Sequence, residues 1–249
     1  CKTILVQSNR FVIDNYTLSG FSIKTKLRIS AERLLFWMNK KKIDYIIVQS
    51  ESMLAVLLKN GCLKDNIKVV AYKSKDTYSK CEINDSQKLK NSFLYVSSDG
   101  PHKNHKKLID SWCLLSKDDI FPKLILTIDE NTNIHKYVMS MVDQFNLDID
   151  IMPNLKRDHI LELYCQSIAL IYPSLFESYG LPLVEAEQYD LPVIASELDY
   201  VRDILDPVET FDPNSAKSIS RSVKRFLKIK EKKTEVVGPE VFIKNLINL

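Results

Sequence analysis

The sequence has 249 residues, of which 45% are hydrophobic and 27% charged, an ordinary composition for a globular protein that excludes disordered and fibrous classes. Its 35 basic and 32 acidic residues leave a net charge of only +3, which argues against nucleic acid as a partner. No apolar run approaches the roughly 18–20 residues that span a bilayer, and the first residues lack the order of a secretion signal.

The first 72 residues alternate apolar runs with helical patterns. Strands are predicted at Thr3–Gln7, Tyr45–Gln49 and Ile67–Tyr72. Helices are predicted between them, at Lys26–Lys41 and at Glu51–Asn60, the second ended by Gly61. The chain begins with Cys1 instead of methionine, directly before an apolar run, so we expect this front domain to lack its start.

A polar stretch without periodicity, Lys73–Ser92, predicts a linker. After it, strands are predicted at Phe93–Ser97, Lys123–Ile128, Ile149–Met152, Ile168–Tyr172, Pro192–Ala195 and Glu209–Phe211. The helices predicted between and after them include a face of Leu108, Ile109, Trp112 and Leu115, then Ile134–Phe145, Asp158–Gln166, Leu181–Tyr189 and Asn214–Leu227, with Asn214 as N-cap. This alternation predicts an α/β fold with a parallel sheet covered by helices on both faces.

We therefore expect three segments. Residues 1–90 form a partial N-terminal α/β domain and linker, residues 91–230 form a Rossmann-like domain, and residues 231–249 form a helical tail. The cysteines show no CxxC and no paired spacing, which favours a reducing compartment with unlinked thiols; they are Cys1, Cys62, Cys81, Cys113 and Cys165.

In such sheets, ligands bind beyond the carboxyl ends of the strands, in the loops that open the helices. Two of the five glycines, Gly100 and Gly180, lie in these loops, where backbone can approach a ligand closely. The sequence contains neither GxGxxG nor GxxxxGK[ST], which argues against a nicotinamide site and a P-loop.

The most distinctive stretch runs from Tyr172 to Ala186. A buried strand ends at Tyr172, and Pro182 lies where a helix starts, a position at which proline is well tolerated. The first N–H groups of a helix have no intrahelical partner, so this one offers an anion such as a diphosphate the amides of Ser178, Tyr179, Gly180 and Leu181.

Two carboxylates flank these amides. Glu185 lies one turn inside the helix and leans toward its N-terminus, where phosphate repels it but sugar hydroxyls can donate to it. Glu177, on the loop, lies on the other side of the bound diphosphate, so the pair indicates a nucleotide sugar. The alternative is that Glu185 is a helix-surface residue and Glu177 an ordinary loop charge.

The stretch FESYGLPLVEA with LPVIAS after it resembles the E-x7-E region of the retaining GT-B glycosyltransferases of family 4, the group 1 type. The resemblance spans roughly residues 93–227, since SDGPHKNHKKLIDSW resembles the lysine-bearing loop and helix of that family. DYVRDIL and FDPNSAKSI resemble its later segments.

The resemblance implies roles for particular residues. Glu185 accepts from the ribose hydroxyls, while Glu177 positions the donor sugar and Lys103 neutralises the leaving diphosphate, so Glu177 and Lys103 are the catalytic candidates. The amides of Ser178, Tyr179, Gly180 and Leu181 hold the diphosphate. Backbone of the Pro153–Leu155 loop, at Asn154 and Leu155, contacts the base.

The sequence departs from the family pattern in two loops. The family usually has arginine at the position of Ser98, so neutralisation depends on Lys103 alone or borrows from Lys106, Lys107 or His105. After Ile128 the chain has Asp-Glu-Asn where the family often has glycine, which puts a ligand contact there in doubt.

Two motifs offer weaker hypotheses of metal binding. Asp148 and Asp150 spell DxD at the start of an edge strand, where their side chains share one face. His102 and His105 form HxxH, but no third ligand is evident and Lys103 lies between them. No metal and no cofactor is therefore expected.

The resulting hypothesis is a metal-independent glycosyltransferase that moves a sugar from a nucleotide diphosphate donor, a UDP- or GDP-sugar, to a hydroxyl acceptor with retention. The resemblance implies a glycan or lipid-linked acceptor in surface polysaccharide or lipopolysaccharide assembly, and a cytoplasmic protein that can contact the inner face of the membrane. A nucleotide-sugar epimerase or hydrolase, or a donor-binding but inactive fragment, remains open as an alternative.

Overall fold

The computed structural model describes residues 2–72, 91–231 and 237–247. Most of the predicted linker, residues 73–90, lies outside these ranges. Ser92 does not belong to a linker: it is buried and begins a strand, because its partner strand aligns Lys123 with it. A polar residue at a strand end carries no apolar signal, which is why the pattern missed it.

The front part is a three-stranded parallel sheet with helices. Its strands are β1 (Ile4–Val6), β2 (Tyr45–Val48) and β3 (Ile67–Val69), in the order β1-β2-β3. Its helices are α1 (Arg10–Ile13), α2 (Ile23–Asn39) and α3 (Glu51–Lys59), and 3-10 turns occur at Lys40–Lys42 and Lys64–Asn66. Their core holds Val12, Ile13, Phe36, Ile46, Val48, Met53, Leu57 and Ile67.

The second part is a six-stranded parallel sheet. Its strands are β4 (Ser92–Tyr95), β5 (Lys123–Leu126), β6 (Ile149–Ile151), β7 (Ala169–Tyr172), β8 (Val193–Ser196) and β9 (Glu209–Phe211), in the order β6-β5-β4-β7-β8-β9. Its helices are α4 (His105–Ser116), α5 (Asn133–Phe145), α6 (Arg157–Gln166), α7 (Leu181–Gln188), α8 (Asp199–Arg202) and α9 (Ala216–Phe226), followed by α10 (Pro239–Ile247). A 3-10 turn, Pro101–Lys103, precedes α4.

The strand order fixes where a ligand can bind. The chain moves outward from β4 to β6 and then returns to β7 on the other side of β4, so the order reverses between β4 and β7. With right-handed crossovers, α4 and α5 cover one face of the sheet, whereas α6 and α7 cover the other. The chain leaves β4 and β7 toward opposite faces of the sheet, so the carboxyl edge at these two strands is the expected place for a ligand.

The expected α/β class with parallel sheets is confirmed. The sequence pattern missed the short helices α1 and α8, and the other differences lie at element ends. Helix α2 begins at Ile23, before the predicted Lys26, because the Ser22 hydroxyl caps it by accepting from Thr25 N at 3.2 Å. Helix α9 is capped by Ser215 and not by Asn214, whose own N–H is taken by Asp212 at 2.9 Å. Gly61, with φ of +78°, follows α3 as predicted.

One of the cysteines that the structure describes departs from expectation. Cys62 and Cys113 are free, as predicted, but Cys165 is disulfide-bonded, because spacing along the chain does not reveal which thiols meet in space. Cys1 and Cys81 lie outside the described residues. Within those ranges, no helix combines the length and apolarity needed to cross a bilayer.

Trp112 tests the packing of the larger sheet. Its ring is 1% exposed and packs edge-on against Phe93, and its indole N–H donates to the Pro122 carbonyl at 2.8 Å. Trp112→Ala should lower the free energy of unfolding by about 3–5 kcal/mol, measured by urea titration. The control Met139→Ala, at a 41% exposed position of α5, should change it by less than about 0.5 kcal/mol. Equal effects would contradict this assignment of the core.

Candidate active site

The loop between β7 and α7 lies at the point where the strand order reverses. Gly180 precedes α7 with φ of +84°, a left-handed conformation that favours glycine, and no side chain caps this helix. The helix begins at Leu181, so Pro182 is its second residue and not its first as predicted. Both positions lack an intrahelical acceptor, so proline costs no hydrogen bond at either.

The amides of this loop are free to donate. In residues 2–72, 91–231 and 237–247, no acceptor takes a hydrogen bond from the backbone N–H of Ser178, Tyr179, Gly180 or Leu181. These four consecutive donors precede and open a helix of eight residues, whose dipole adds partial positive charge at the same place. The amides predicted to bind the donor are therefore available as hydrogen-bond donors to an anion.

Glu177 lies beside these amides in an ion pair with Lys103. The Lys103 ammonium is 2.6 Å from Glu177 Oε1, and the two side chains are only 14% and 11% exposed. Tyr172 also donates to Oε1, at 3.2 Å. Burial and the nearby Glu177 carboxylate raise the pKa of Tyr172 well above its ordinary value, so the phenol keeps its proton and remains a donor.

The structure thus brings the two catalytic candidates together. Lys103 follows β4 and Glu177 follows β7, and they meet because these strands are neighbours in the sheet. Leu175 N donates to the His102 carbonyl at 2.8 Å, so a backbone hydrogen bond joins the two loops. The Tyr95 hydroxyl donates to the Lys103 carbonyl at 2.7 Å and holds the first loop against β4.

Glu185 has a different set of partners. It is 2% exposed, and its two oxygens accept from Arg157 Nη1 at 2.5 Å and from Tyr164 at 2.7 Å. Burial and Glu185 raise the pKa of Tyr164, so this phenol also stays protonated. Glu185 is therefore not the surface residue that the alternative supposed; it is a buried carboxylate with two donors of its own.

The loop expected to contact a base lies next to these donors. Asn154 is exposed with φ of +53°, Leu155 packs partly against the core, and Arg157 is the first residue of α6. The sequence interpretation named neither Arg157 nor Tyr164. Their positions along the chain could have indicated them, because Arg157 comes two residues after Leu155 and Tyr164 follows two helical turns later.

The cations proposed to replace the arginine missing at Ser98 have other contacts. Lys106 lies 5.6 Å over the Tyr137 ring, and Lys107 is 3.7 Å from Asp110. His105 is buried, with Nε2 at 2.9 Å from the Ser98 carbonyl. Burial lowers its pKa to about 4, so His105 carries no positive charge at neutral pH.

The remaining sequence candidates are engaged elsewhere. Asp148 and Asp150 do share one face, since both pair with Lys123, at 3.2 and 2.8 Å. In the loop after Ile128, Asp129 accepts from Asn131 N at 2.9 Å. Within the ranges that the structure describes, no group of three His, Cys, Asp or Glu side chains could hold a metal ion.

The front part of the chain closes over the loop, which the sequence interpretation did not foresee. Arg10 donates to the Glu177 carbonyl at 3.3 Å and lies 4.6 Å over the Phe176 ring. The Ser50 hydroxyl donates to the Ser178 carbonyl at 2.9 Å. A cavity of about 220 Å³ lies between the two parts, lined by Ser8, Asn9, Arg10, Phe11, His102, Phe176, Glu177 and Ser178.

Aromatic rings complete this contact. Phe176 stacks on Tyr16 with ring centroids 4.2 Å apart and packs against Phe11 at 4.6 Å. Phe11 and Phe21 both contact the His102 ring. His102 is thus a packed cleft residue, and burial lowers its pKa to about 4.

Comparison with solved structures defines the class of fold. The chain matches the crystal structure of TarM with a TM-score of 0.68 and 18% identity, covering 91% of this chain and 43% of that one. A TarM variant in complex with fondaparinux, alpha-GlcNAc-glycerol and UDP matches with a TM-score of 0.63, 19% identity and coverage of 90% and 44%. The fold is of the GT-B type, as expected.

Sequence comparison gives the family. The sequence model of the protein family described as "Glycosyl transferases group 1" matches residues 58–238, so the chain belongs to the group 1 glycosyltransferase family. The serotype-specific mannosyltransferase WbdA of Escherichia coli is 27% identical over 143 residues, 56% of this chain and 18% of WbdA. The O-antigen chain mannosyltransferase RfbU of Salmonella typhimurium is 24% identical over 195 residues, 77% of this chain and 53% of RfbU. The chain thus spans about half or less of these relatives.

The half-buried His102 and the buried His105 predict a loss of stability in acid. Their folded pKa of about 4 lies below the ordinary value of 6.5, so neutral histidine stabilises the fold above pH 6.5 and this contribution is lost as pH falls toward 4. For His105, the loss between pH 7 and 4.5 should be about 2 kcal/mol. Unfolding titrations of wild type and His105→Gln at both pH values test this, and a variant with the same pH slope as wild type would contradict it.

Proposed function

We propose that this chain carries the reaction centre of a glycosyltransferase that transfers a sugar from a nucleotide diphosphate sugar to a hydroxyl acceptor. The observation that carries the proposal is the convergence of Lys103, Glu177 and the free amides of residues 178–181 at one end of α7. A diphosphate needs dispersed donors and a cation, and this edge of the sheet offers both.

Lys103 and the amides stabilise the charge that develops on the leaving diphosphate. The bond between the anomeric carbon and the phosphate oxygen breaks, and the acceptor oxygen bonds to that carbon. The acceptor proton passes to the departing phosphate oxygen, so the step balances without a separate base or a metal. Donors fixed in place before the reaction are worth most where charge develops, and here they stand in a largely buried crevice.

Glu177 and Glu185 bind opposite ends of the donor in this proposal. Glu177, at the wall of the 220 Å³ cavity, accepts hydrogen bonds from the transferred sugar. Glu185 accepts from the ribose, for which a carboxylate already bonded to Arg157 and Tyr164 still has lone pairs. The backbone at Asn154 and Leu155 then faces the base. Residues 91–230 form the donor-binding domain, and residues 1–90 contribute to the acceptor side.

Family membership supports the proposal of family 4 chemistry with retention of configuration, and of a glycan or lipid-linked glycan as the acceptor. RfbU is an O-antigen chain mannosyltransferase and a TarM complex contains UDP, which favours surface polysaccharide assembly and a UDP- or GDP-sugar. Acceptance of the sugar by a glycan, with little free sugar, distinguishes transfer from hydrolysis. Epimerised donor as the main product would instead indicate the epimerase.

Substitutions at the three charged positions test the roles. Lys103→Met and Glu177→Gln should each lower kcat/KM by about 10²–10³-fold, because each removes a charged group from the reaction centre. Glu185→Gln should act mainly through KM for the donor, since the ribose is bound in ground and transition states alike.

The matched control is Glu187→Gln, an exposed carboxylate on the same helix, which should leave kcat/KM within twofold of wild type. Steady-state kinetics with UDP- and GDP-sugars and circular dichroism on each folded variant make the comparison. Wild-type turnover in all three charged-site variants would overturn the assignment.

A further inference from the structure

The front part of the chain donates hydrogen bonds to two peptide groups of the Glu177 loop, the ones that carry the N–H groups of Ser178 and Tyr179. Arg10 donates to the Glu177 carbonyl and Ser50 to the Ser178 carbonyl, at 3.3 and 2.9 Å. These are consecutive peptides of the loop, held by residues 167 and 128 positions away in sequence. The contact therefore depends on the two sheets facing each other.

These hydrogen bonds fix the direction in which the N–H groups of the two peptides point. In a planar trans peptide the C=O and N–H point in opposite directions. The peptide whose carbonyl is Glu177 O carries the N–H of Ser178, and the peptide of Ser178 O carries the N–H of Tyr179. Since both carbonyls point to the front part of the chain, both N–H groups point away from it, and neither has an acceptor within the described ranges.

We propose that Ser50 and Arg10 are positioning residues that orient and polarise the Ser178 and Tyr179 amides toward the donor diphosphate. A carbonyl that accepts a hydrogen bond strengthens the N–H of the same peptide as a donor, so each contact acts through the backbone on the anion. The inference rests on the proposed function, and it makes diphosphate affinity dependent on the front part of the chain.

Ser50 gives the cleaner test because it is neutral and acts on the ligand only through the loop. Ser50→Ala should raise the Kd for UDP, or for GDP if that is the donor base, by about fivefold, the size of one lost hydrogen bond. The Kd for UMP or GMP should change by less than twofold, because a monophosphate leaves one phosphate position empty. Isothermal titration of the full chain with each nucleotide measures the diphosphate preference, which is the ratio of the Kd for the monophosphate to the Kd for the diphosphate.

Two variants separate positioning from structure. Ser50 also caps α3 by accepting from Met53 N at 3.4 Å, so Ser50→Thr, which keeps the hydroxyl, should restore both the cap and the ratio. Asp203→Ala removes another contact between the two parts, the 2.7 Å bond from Ser52 N, without touching the loop carbonyls. Asp203→Ala should raise the Kd for the diphosphate and for the monophosphate by the same factor, or change neither. Arg10→Met, which keeps an apolar stem on Phe176, should lower the diphosphate preference as Ser50→Ala does.

The outcomes separate the two levels of the proposal. If wild type prefers the diphosphate and Ser50→Ala keeps that preference unchanged, the positioning role is overturned while the proposed function stands. The same holds if Asp203→Ala lowers the preference as much as Ser50→Ala. If wild type shows no diphosphate preference with either base, the proposed function fails and this inference fails with it.

Discussion

The ion pair between Lys103 and Glu177 forms only when the strand order and the two loops that follow β4 and β7 are both in place. It joins the loops after β4 and β7, which lie side by side only because the chain returns across the sheet at this point. Removing one partner from such a mostly buried pair leaves an uncompensated charge, at a cost of about 3–5 kcal/mol for fully buried pairs. Both charges also lie beside the amides of residues 178–181, which have no acceptor within the described residues and can therefore bind an anion.

Around this pair, tyrosine hydroxyls supply hydrogen bonds. Tyr172 donates to Glu177 and Tyr164 to Glu185, while Tyr95 and Tyr200 donate to carbonyls of the neighbouring loops. Burial raises the pKa of all four phenols, so they keep their protons. The two acids thus have hydrogen-bond partners on the strands and helices around them, and the amides of residues 178–181 add backbone donors beside Lys103.

The front sheet completes the cleft rather than standing apart from it. Arg10, Ser50 and Phe11 all contact the Glu177 loop or its aromatic neighbour Phe176, and one cavity is lined from both sides. The two parts therefore line one cavity, which the proposed function makes part of the reaction centre. In the proposed function, a donor bound to the amides of residues 178–181 lies close to groups from both parts of the chain.

The sequence by itself determined the main alternation of strands and helices, the parallel sheets and the Glu177–Glu185 stretch, because apolar periodicity and a proline in the first turn of a helix after a strand are local signals. It also singled out Lys103. It did not reveal that Arg157 and Tyr164 donate hydrogen bonds to Glu185. Nor did it reveal that Arg10 and Ser50 donate to the carbonyls of the Glu177 loop, or that Cys165 forms a disulfide. Those contacts join residues far apart in the chain, so only the tertiary structure, through strand order and the approach of the two sheets, could decide them.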